Sequence, residues 1–209
     1  MPMLLLGGLL ACSATGARTD EQLRGEALVE ALRQGGFNIY FRHAATDWSL
    51  SDHVSAPDDW LSCDADEMRQ LAPAGRETSR AIGEAIRALG IPVARVYASP
   101  YCRTVETAEL MELGAVETTT DIINMRAAQY FGGASAVADT ARRRFAAKPP
   151  VGSNVVLVAH GNVLNAAGDV YVGEAEAAIF RPDGEGGFAL VARVTPATWS
   201  ELSGAYAAR

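Results

Sequence analysis

Phe37-Asn38-Ile39-Tyr40-Phe41-Arg42-His43 is a short apolar run that ends without a turn on a guanidinium and an imidazole. The first five residues have the length and composition of a buried strand. The same form recurs twice. Val155-Val156-Leu157-Val158-Ala159 runs straight into His160-Gly161, and Val93 to Ala98 runs into Ser99-Pro100, with Arg103 just beyond. Between these strands the spacing is helical. Leu23, Ala27, Leu28, Ala31 and Leu32 share one face of residues 21–34, which Gly35-Gly36 stops. Ala81, Ile82, Ala85, Ile86 and Leu89 do the same after Pro73, a residue tolerated in a first helical turn, and Gly90 ends that helix.

The remaining segments fit the alternation. Met68 and Leu71 are expected in a short helix, Cys102 to Leu113 in a longer one, and Val116 to Thr120 in a short strand. Ser135 to Ala147 reads as an amphipathic helix broken by Pro149-Pro150, and a further helix follows Gly161. Ala177 to Arg181 and Phe188 to Val194 read as a hairpin about Asp183-Gly184. Alternating strands and helices indicate an α/β domain. Apolar strands without clean alternation indicate a sheet covered on both faces, hence a three-layer α/β/α arrangement around a mostly parallel sheet. Ligands of such sheets bind beyond the carboxyl ends of the strands. Parallel neighbours would bring Arg42, His43, Arg103 and His160 to that one edge, where two guanidinium forks and two imidazoles make a phosphate pocket.

The chain has 209 residues and a net charge of −7, which suits one domain and argues against a nucleic-acid partner. A small phosphorylated substrate needs only a local cationic pocket. The three histidines match no standard zinc spacing, and no cofactor is expected. His53 reads as a solvated loop residue in the polar stretch from Ala44 to about Asp64.

These residues resemble the histidine phosphatase superfamily, the phosphoglycerate-mutase-like fold. The resemblance rests on Arg42-His43-Ala44, on Ser99 through Arg103 to Thr107-Ala108, on His160-Gly161, and on Leu71-Ala72-Pro73-Ala74-Gly75. It implies that His43 accepts the phosphoryl group covalently, that Arg42, Arg103 and His160 hold its oxygens, and that Thr46 adds a hydroxyl to the phosphate. It implies no metal. Ala44 stands where the family commonly has glycine, and Ala72 where it has threonine. No glutamate follows the third strand and no aspartate follows His160, so the general acid is unassigned, with Asp47 and Asp121 as candidates. A missing acid suits good leaving groups such as phosphohistidine or phosphoanhydrides. The expected activity is hydrolysis of a phosphomonoester, or of a phosphohistidine or phosphoanhydride, through a covalent phosphohistidine on His43. The alternative is a phosphate-binding or sensing lipoprotein on the same fold, and a glycolytic mutase fits less well.

Residues 3–11 form an apolar run too short to span a bilayer, and Leu9-Leu10-Ala11-Cys12 resembles the bacterial lipobox. Met1 and Pro2 carry no Lys or Arg, a departure from a usual signal. The reading is a signal over residues 1–12 with lipid on Cys12, a linker over 13–22 and the catalytic domain over 23–209. It places the mature protein outside the cytoplasmic membrane, anchored by its lipid. Cys63 and Cys102 are then left as an even pair, for which a disulfide and two free thiols both stand.

Overall fold

Asn154–Ala159 (β4) is buried at every position, so neither of its faces can be given to water. It pairs in parallel with Asn38–Arg42 (β1) on one side and with Val93–Ala98 (β2) on the other. A computed structural model describes these strands within residues 22–208. The signal reading, Cys12 included, and the linker through residue 21 lie outside the described residues. Val116–Thr118 (β3) adds in parallel to the outer edge of β2. Ala177–Pro182 (β5) pairs antiparallel with β1, and Phe188–Val194 (β6) antiparallel with β5. The strand order is β3-β2-β4-β1-β5-β6, a mixed sheet with a four-strand parallel part. The expected hairpin is its antiparallel margin.

Side chains along each central strand alternate between two apolar layers. Ile39, Phe41, Val156 and Val158 join one core with Leu28 and Leu32 of α1 (Gly25–Gln34) and Ile82 and Ile86 of α2 (Pro73–Ala88). Tyr40, Val155 and Leu157 join the other with Phe145 of α4 (Ala134–Ala146) and Leu164 of α5 (Gly161–Gly168). The fold is therefore the three-layer α/β/α arrangement, with α3 (Cys102–Leu110) packed against α2.

Three local expectations need correction. Met68 and Leu71 do not lie in a helix. Leu71 forms an isolated antiparallel bridge with Thr46, and Met68 is buried in a small separate apolar cluster with Trp60 and Tyr101. The two apolar side chains three residues apart thus meet different neighbours rather than one helical face. The helix expected to reach Leu113 ends at Leu110, and the strand expected to reach Thr120 ends at Thr118. Nothing in the sequence reading anticipated α6 (Pro196–Ala207). The Thr195 side chain accepts the Thr198 amide at 3.2 Å to cap it, Pro196 fills its first turn, and fully buried Trp199 lies 6.2 Å from the Phe41 ring.

Gly75 explains the Leu-x-x-x-Gly element. A Cβ there would collide with the Ala45 carbonyl oxygen, while the Ala72 amide donates to that same oxygen at 2.9 Å. Only glycine lets the start of α2 press on the turn that follows His43. A second tie comes from Cys63 and Cys102, which form a disulfide with Cα atoms 5.5 Å apart. It fastens the loop between β1 and α2 to the first turn of α3. For a separation of 39 residues the loss of unfolded-chain entropy contributes about 4 kcal/mol.

Candidate active site

Register fixes the level at which the functional side chains emerge. Arg42 pairs with Ala159, so His43 and His160 leave their strands side by side. The His43 amide still donates to the Ala159 carbonyl at 2.9 Å, and the Ser99 amide donates to the Val158 carbonyl at 3.0 Å. The ladder thus extends one residue past the ends of β1 and β2 and ties both of those turns to β4. The two imidazole centroids stand 5.7 Å apart. Both rings are almost fully buried, at 3% and 2% exposure, yet both line one cleft of about 380 Å³ with Arg42, Arg69 and Asp52. A hollow of about 440 Å³ between α1 and α6 is lined by residues such as Glu30, Arg33 and Tyr206 and holds no imidazole.

His43 Nδ1 lies 2.9 Å from the Ala44 carbonyl oxygen. A carbonyl can only accept, so the proton sits on Nδ1 and the lone pair on Nε2. Ala44 is itself fixed, because its amide donates to Thr107 Oγ1 at 3.2 Å and that hydroxyl donates to the Arg103 carbonyl at 2.7 Å. The two ends of the arginine-to-threonine motif on α3 thereby hold the turn that follows His43. Burial pushes the His43 pKa well below its usual value, and the Arg103, Arg42 and Arg69 charges push it further. Only its bond to Ala44 opposes them. The ring is therefore neutral at physiological pH.

His160 is held as tightly. Its Nε2 lies 2.9 Å from Ser99 Oγ, its amide donates to the Tyr40 hydroxyl at 3.1 Å, and that hydroxyl donates to its carbonyl at 2.9 Å. Tyr101 packs edge-on against the ring at 4.7 Å. Nδ1 is buried with no hydrogen-bond partner among the described residues. The Ser99 hydroxyl can donate to or accept from Nε2, and in the tautomer in which it donates, Nδ1 carries the proton as a spare donor. Burial, followed by the Arg103 charge, holds this pKa well below its usual value too. At the neighbouring position a Cβ on Gly161 would sit 3.2 Å from Arg42 Cδ, so the glycine makes room for the arginine stem.

The arginines divide into two kinds. Arg103, only 1% exposed, gives Nη1 and Nη2 to the two oxygens of Asp52 at 2.8 and 2.9 Å, and its Nε is buried without a partner. Arg42 donates to the Val172 carbonyl at 3.2 Å and lies 3.8 Å from Glu174. Asp52, Arg69 and Glu174 were not singled out by the sequence reading. Asp52 and Arg69 sit in a loop with no apolar period, and nothing local marks them.

Neither Arg103 nor the other sequence candidates Thr46, Asp47, Asp121 and His53 are part of the cleft lining. The Thr46 hydroxyl donates to Glu174 at 3.1 Å, and Thr46 is not part of the cleft lining. Asp47 is exposed and accepts from the Ser49 amide and hydroxyl. Asp121 is paired with Arg144 at 2.5 Å, outside the cleft. His53, expected to be solvated, is exposed, and its amide donates to the Glu67 carbonyl at 2.9 Å. Among the described residues no group of three or more His, Cys, Asp or Glu is placed to hold a metal ion.

The carboxyl edge of an α/β sheet alone would not name a class, but this arrangement coincides with a sequence family. The chain belongs to the histidine phosphatase superfamily, branch 1, whose sequence model matches residues 39–148. That stretch contains Arg42, His43 and Arg103, and His160 follows it. Among solved structures, the protein histidine phosphatase SixA in complex with tungstate superposes with a TM-score of 0.51 at 15% identity, covering 77% of this chain and 97% of its own. A phosphoserine phosphatase from Entamoeba histolytica in complex with 3-phosphoglyceric acid gives a TM-score of 0.52 at 13% identity, covering 76% of this chain and 96% of its own. A variant of a phosphoserine phosphatase from Entamoeba histolytica, bound to phosphoserine, gives 0.51 at 13%, covering 78% and 98%. At such identities the likeness is one of fold. No curated protein sequence matches the chain.

The two buried imidazoles set a pH dependence. In the unfolded chain each titrates near 6.5. Below that pH the unfolded state takes up protons that the native rings refuse, so stability falls as pH drops from about 6.5 toward the native values. Each ring contributes a slope of up to about 1.4 kcal/mol per pH unit. Urea unfolding should therefore show a steeper acid loss of stability in the wild type than in a His43→Gln/His160→Gln double variant. Equal slopes in the two proteins would contradict the neutral-pair description.

Proposed function

We propose that this protein is a phosphatase that passes the phosphoryl group through His43. The observation that carries this reading is the Ala44 carbonyl on His43 Nδ1, which leaves a bare Nε2 in a cationic cleft. In the proposed reaction Nε2 attacks phosphorus in line, and the P–O bond to the leaving group breaks with its electron pair going to that oxygen. His43 then carries the phosphoryl group on Nε2 and retains its Nδ1 proton, so the positive ring is stabilised by the same carbonyl. Water attacks the phosphohistidine, the P–N bond breaks, and phosphate leaves with the proton of that water passing to solvent. Arg42, the Arg103 Nε edge and the His160 Nδ1 proton are the donors offered to the oxygens as charge redistributes.

Proton supply to the leaving group limits the substrate. Asp52 is the carboxylate in the cleft lining, and both of its oxygens accept from Arg103. Neither Asp47 nor Asp121 reaches the cleft. This favours substrates whose leaving group departs without a proton, such as phosphoanhydrides, phosphohistidine or aryl phosphates. The same commitment of Asp52 favours a second reading, a phosphate-binding or sensing protein with little turnover.

Rapid acid or base quenching of wild-type enzyme with p-nitrophenyl phosphate separates the two readings. The phosphatase reading expects base-stable, acid-labile phosphate on His43 and steady nitrophenol release, both abolished in His43→Ala. His160→Ala should lose at least about 10²-fold in kcat, the usual effect of deleting a preorganised donor. Phosphate binding without a phosphoenzyme favours the sensing reading, and full turnover by His43→Ala overturns the mechanism.

We also propose that the protein is exported and held at the membrane by lipid on Cys12, with the Cys63–Cys102 disulfide suited to an oxidising compartment. Labelling cells with a palmitate analogue should mark the wild type and leave Cys12→Ser unlabelled. Absence of label in wild type, with fractionation among soluble cytoplasmic markers, would overturn this assignment.

A further inference from the structure

The cleft carries more positive charge than one phosphoryl group uses. Arg103 is neutralised by Asp52, and Arg42 has Glu174 at 3.8 Å. Arg69 and Arg126 line the cleft with Arg42, and neither Arg69 nor Arg126 has a carboxylate within ion-pair distance among the described residues. Arg69 is held in place from three directions. Its amide donates to Asp52 at 3.2 Å, its carbonyl accepts from Arg103 at 3.2 Å, and its guanidinium lies 4.0 Å over the Trp48 ring. Its Nε is nonetheless buried with no partner. Arg126 is exposed, and its amide is capped by the Asn124 side chain at 3.0 Å, an oxygen that also accepts from Asn162.

The like charges of Arg69 and Arg126 repel the neighbouring cations, and the buried Arg69 Nε is a donor without a partner, which costs stability. On a chain of net charge −7 this local excess is opposite to the overall balance. Its natural complement is an anion. The phosphoryl group at His43 already has Arg42, Arg103 and His160, so Arg69 and Arg126 serve a different group. Trp48 and Tyr171, 65% and 70% exposed, both line the same cleft and offer ring faces to the part of a ligand that joins the two charges. The cleft of about 380 Å³ is within the usual range for a small organic ligand.

We propose that the substrate carries a second phosphate on its leaving group, bound by Arg69 and Arg126, while the first is transferred to His43. The proposal rests on the phosphatase reading and narrows it to organic bisphosphates and diphosphates. In a diphosphate the second phosphate is itself the leaving group, and it departs without a proton donor while the arginines hold its charge.

The test compares kcat/KM for glucose 6-phosphate, glucose 1,6-bisphosphate, pyrophosphate and p-nitrophenyl phosphate in wild type, Arg69→Gln, Arg126→Ala and the double variant. The ratio of a two-phosphate substrate to glucose 6-phosphate cancels changes in the shared chemical step. We expect that ratio to be at least tenfold in wild type and to collapse toward one in the double variant. Preference for the sugar bisphosphate or for pyrophosphate tells whether the second phosphate sits across a ring or on the anhydride. Equal kcat/KM for one and two phosphates, or a preference that survives the double variant, overturns the proposal. Titration calorimetry with the same compounds decides it even if wild type turns over nothing, an outcome that would count against the phosphatase reading alone. In that case glucose 1,6-bisphosphate must bind at least tenfold more tightly to wild type than to the double variant. Arg126 is exposed, so Arg126→Ala keeps the test valid should Arg69→Gln fold poorly.

Discussion

The hydrogen bond from His43 Nδ1 to the carbonyl of its own neighbour, Ala44, sets which nitrogen can react. A solvated imidazole would sample both tautomers and take a proton near neutrality. Here the carbonyl selects one tautomer, and burial among arginines removes the imidazolium. The surrounding structure serves to keep that carbonyl in position. Thr107 holds the Ala44 amide from α3, and the glycine at position 75 lets α2 close on Ala45. The ladder bond to Ala159 fixes the depth at which the ring emerges. Substitution at any of these positions would act on the chemistry through the orientation of one peptide group.

Electrostatic conflict is the second constraint. Arg103 is buried, and a buried unpaired guanidinium would be costly. Asp52 resolves this from the loop between β1 and α2, and the disulfide from Cys63 to Cys102 anchors that loop next to the arginine it must meet. The arginine keeps its charge and one unpaired Nε–H, and its neighbour Arg69 is placed through the same contacts. The loop therefore does more than cover the cleft: it sets how much positive charge remains available to a ligand.

Much of this was legible in the sequence because strands announce themselves. Val155 to Ala159 is apolar at every position and ends on His160, and Phe37 to Phe41 ends on Arg42-His43, so the sheet edge and the residues on it followed from period and length. The antiparallel hairpin was readable from its Asp-Gly turn. The loop between β1 and α2 was not readable, since Asp52 and Arg69 act through contacts distant in sequence that no local pattern encodes. Leu71 misled because its partner is Thr46, across that loop. The helix Pro196–Ala207 was missed although Thr195-Pro196 is a sound start signal, because its one fully buried anchor, Trp199, gives no periodic apolar face. Thr46 shows the limit of positional analogy, since its hydroxyl goes to Glu174, a residue that sequence spacing cannot bring to it.

The central claim concerns a single proton, and histidine-ring nitrogen NMR observes it directly. A long-range proton–nitrogen correlation spectrum of the ligand-free protein at neutral pH should show His43 as a neutral ring, with a protonated Nδ1 and an unprotonated Nε2. An Nε2-protonated tautomer, or an imidazolium at that pH, would contradict the account.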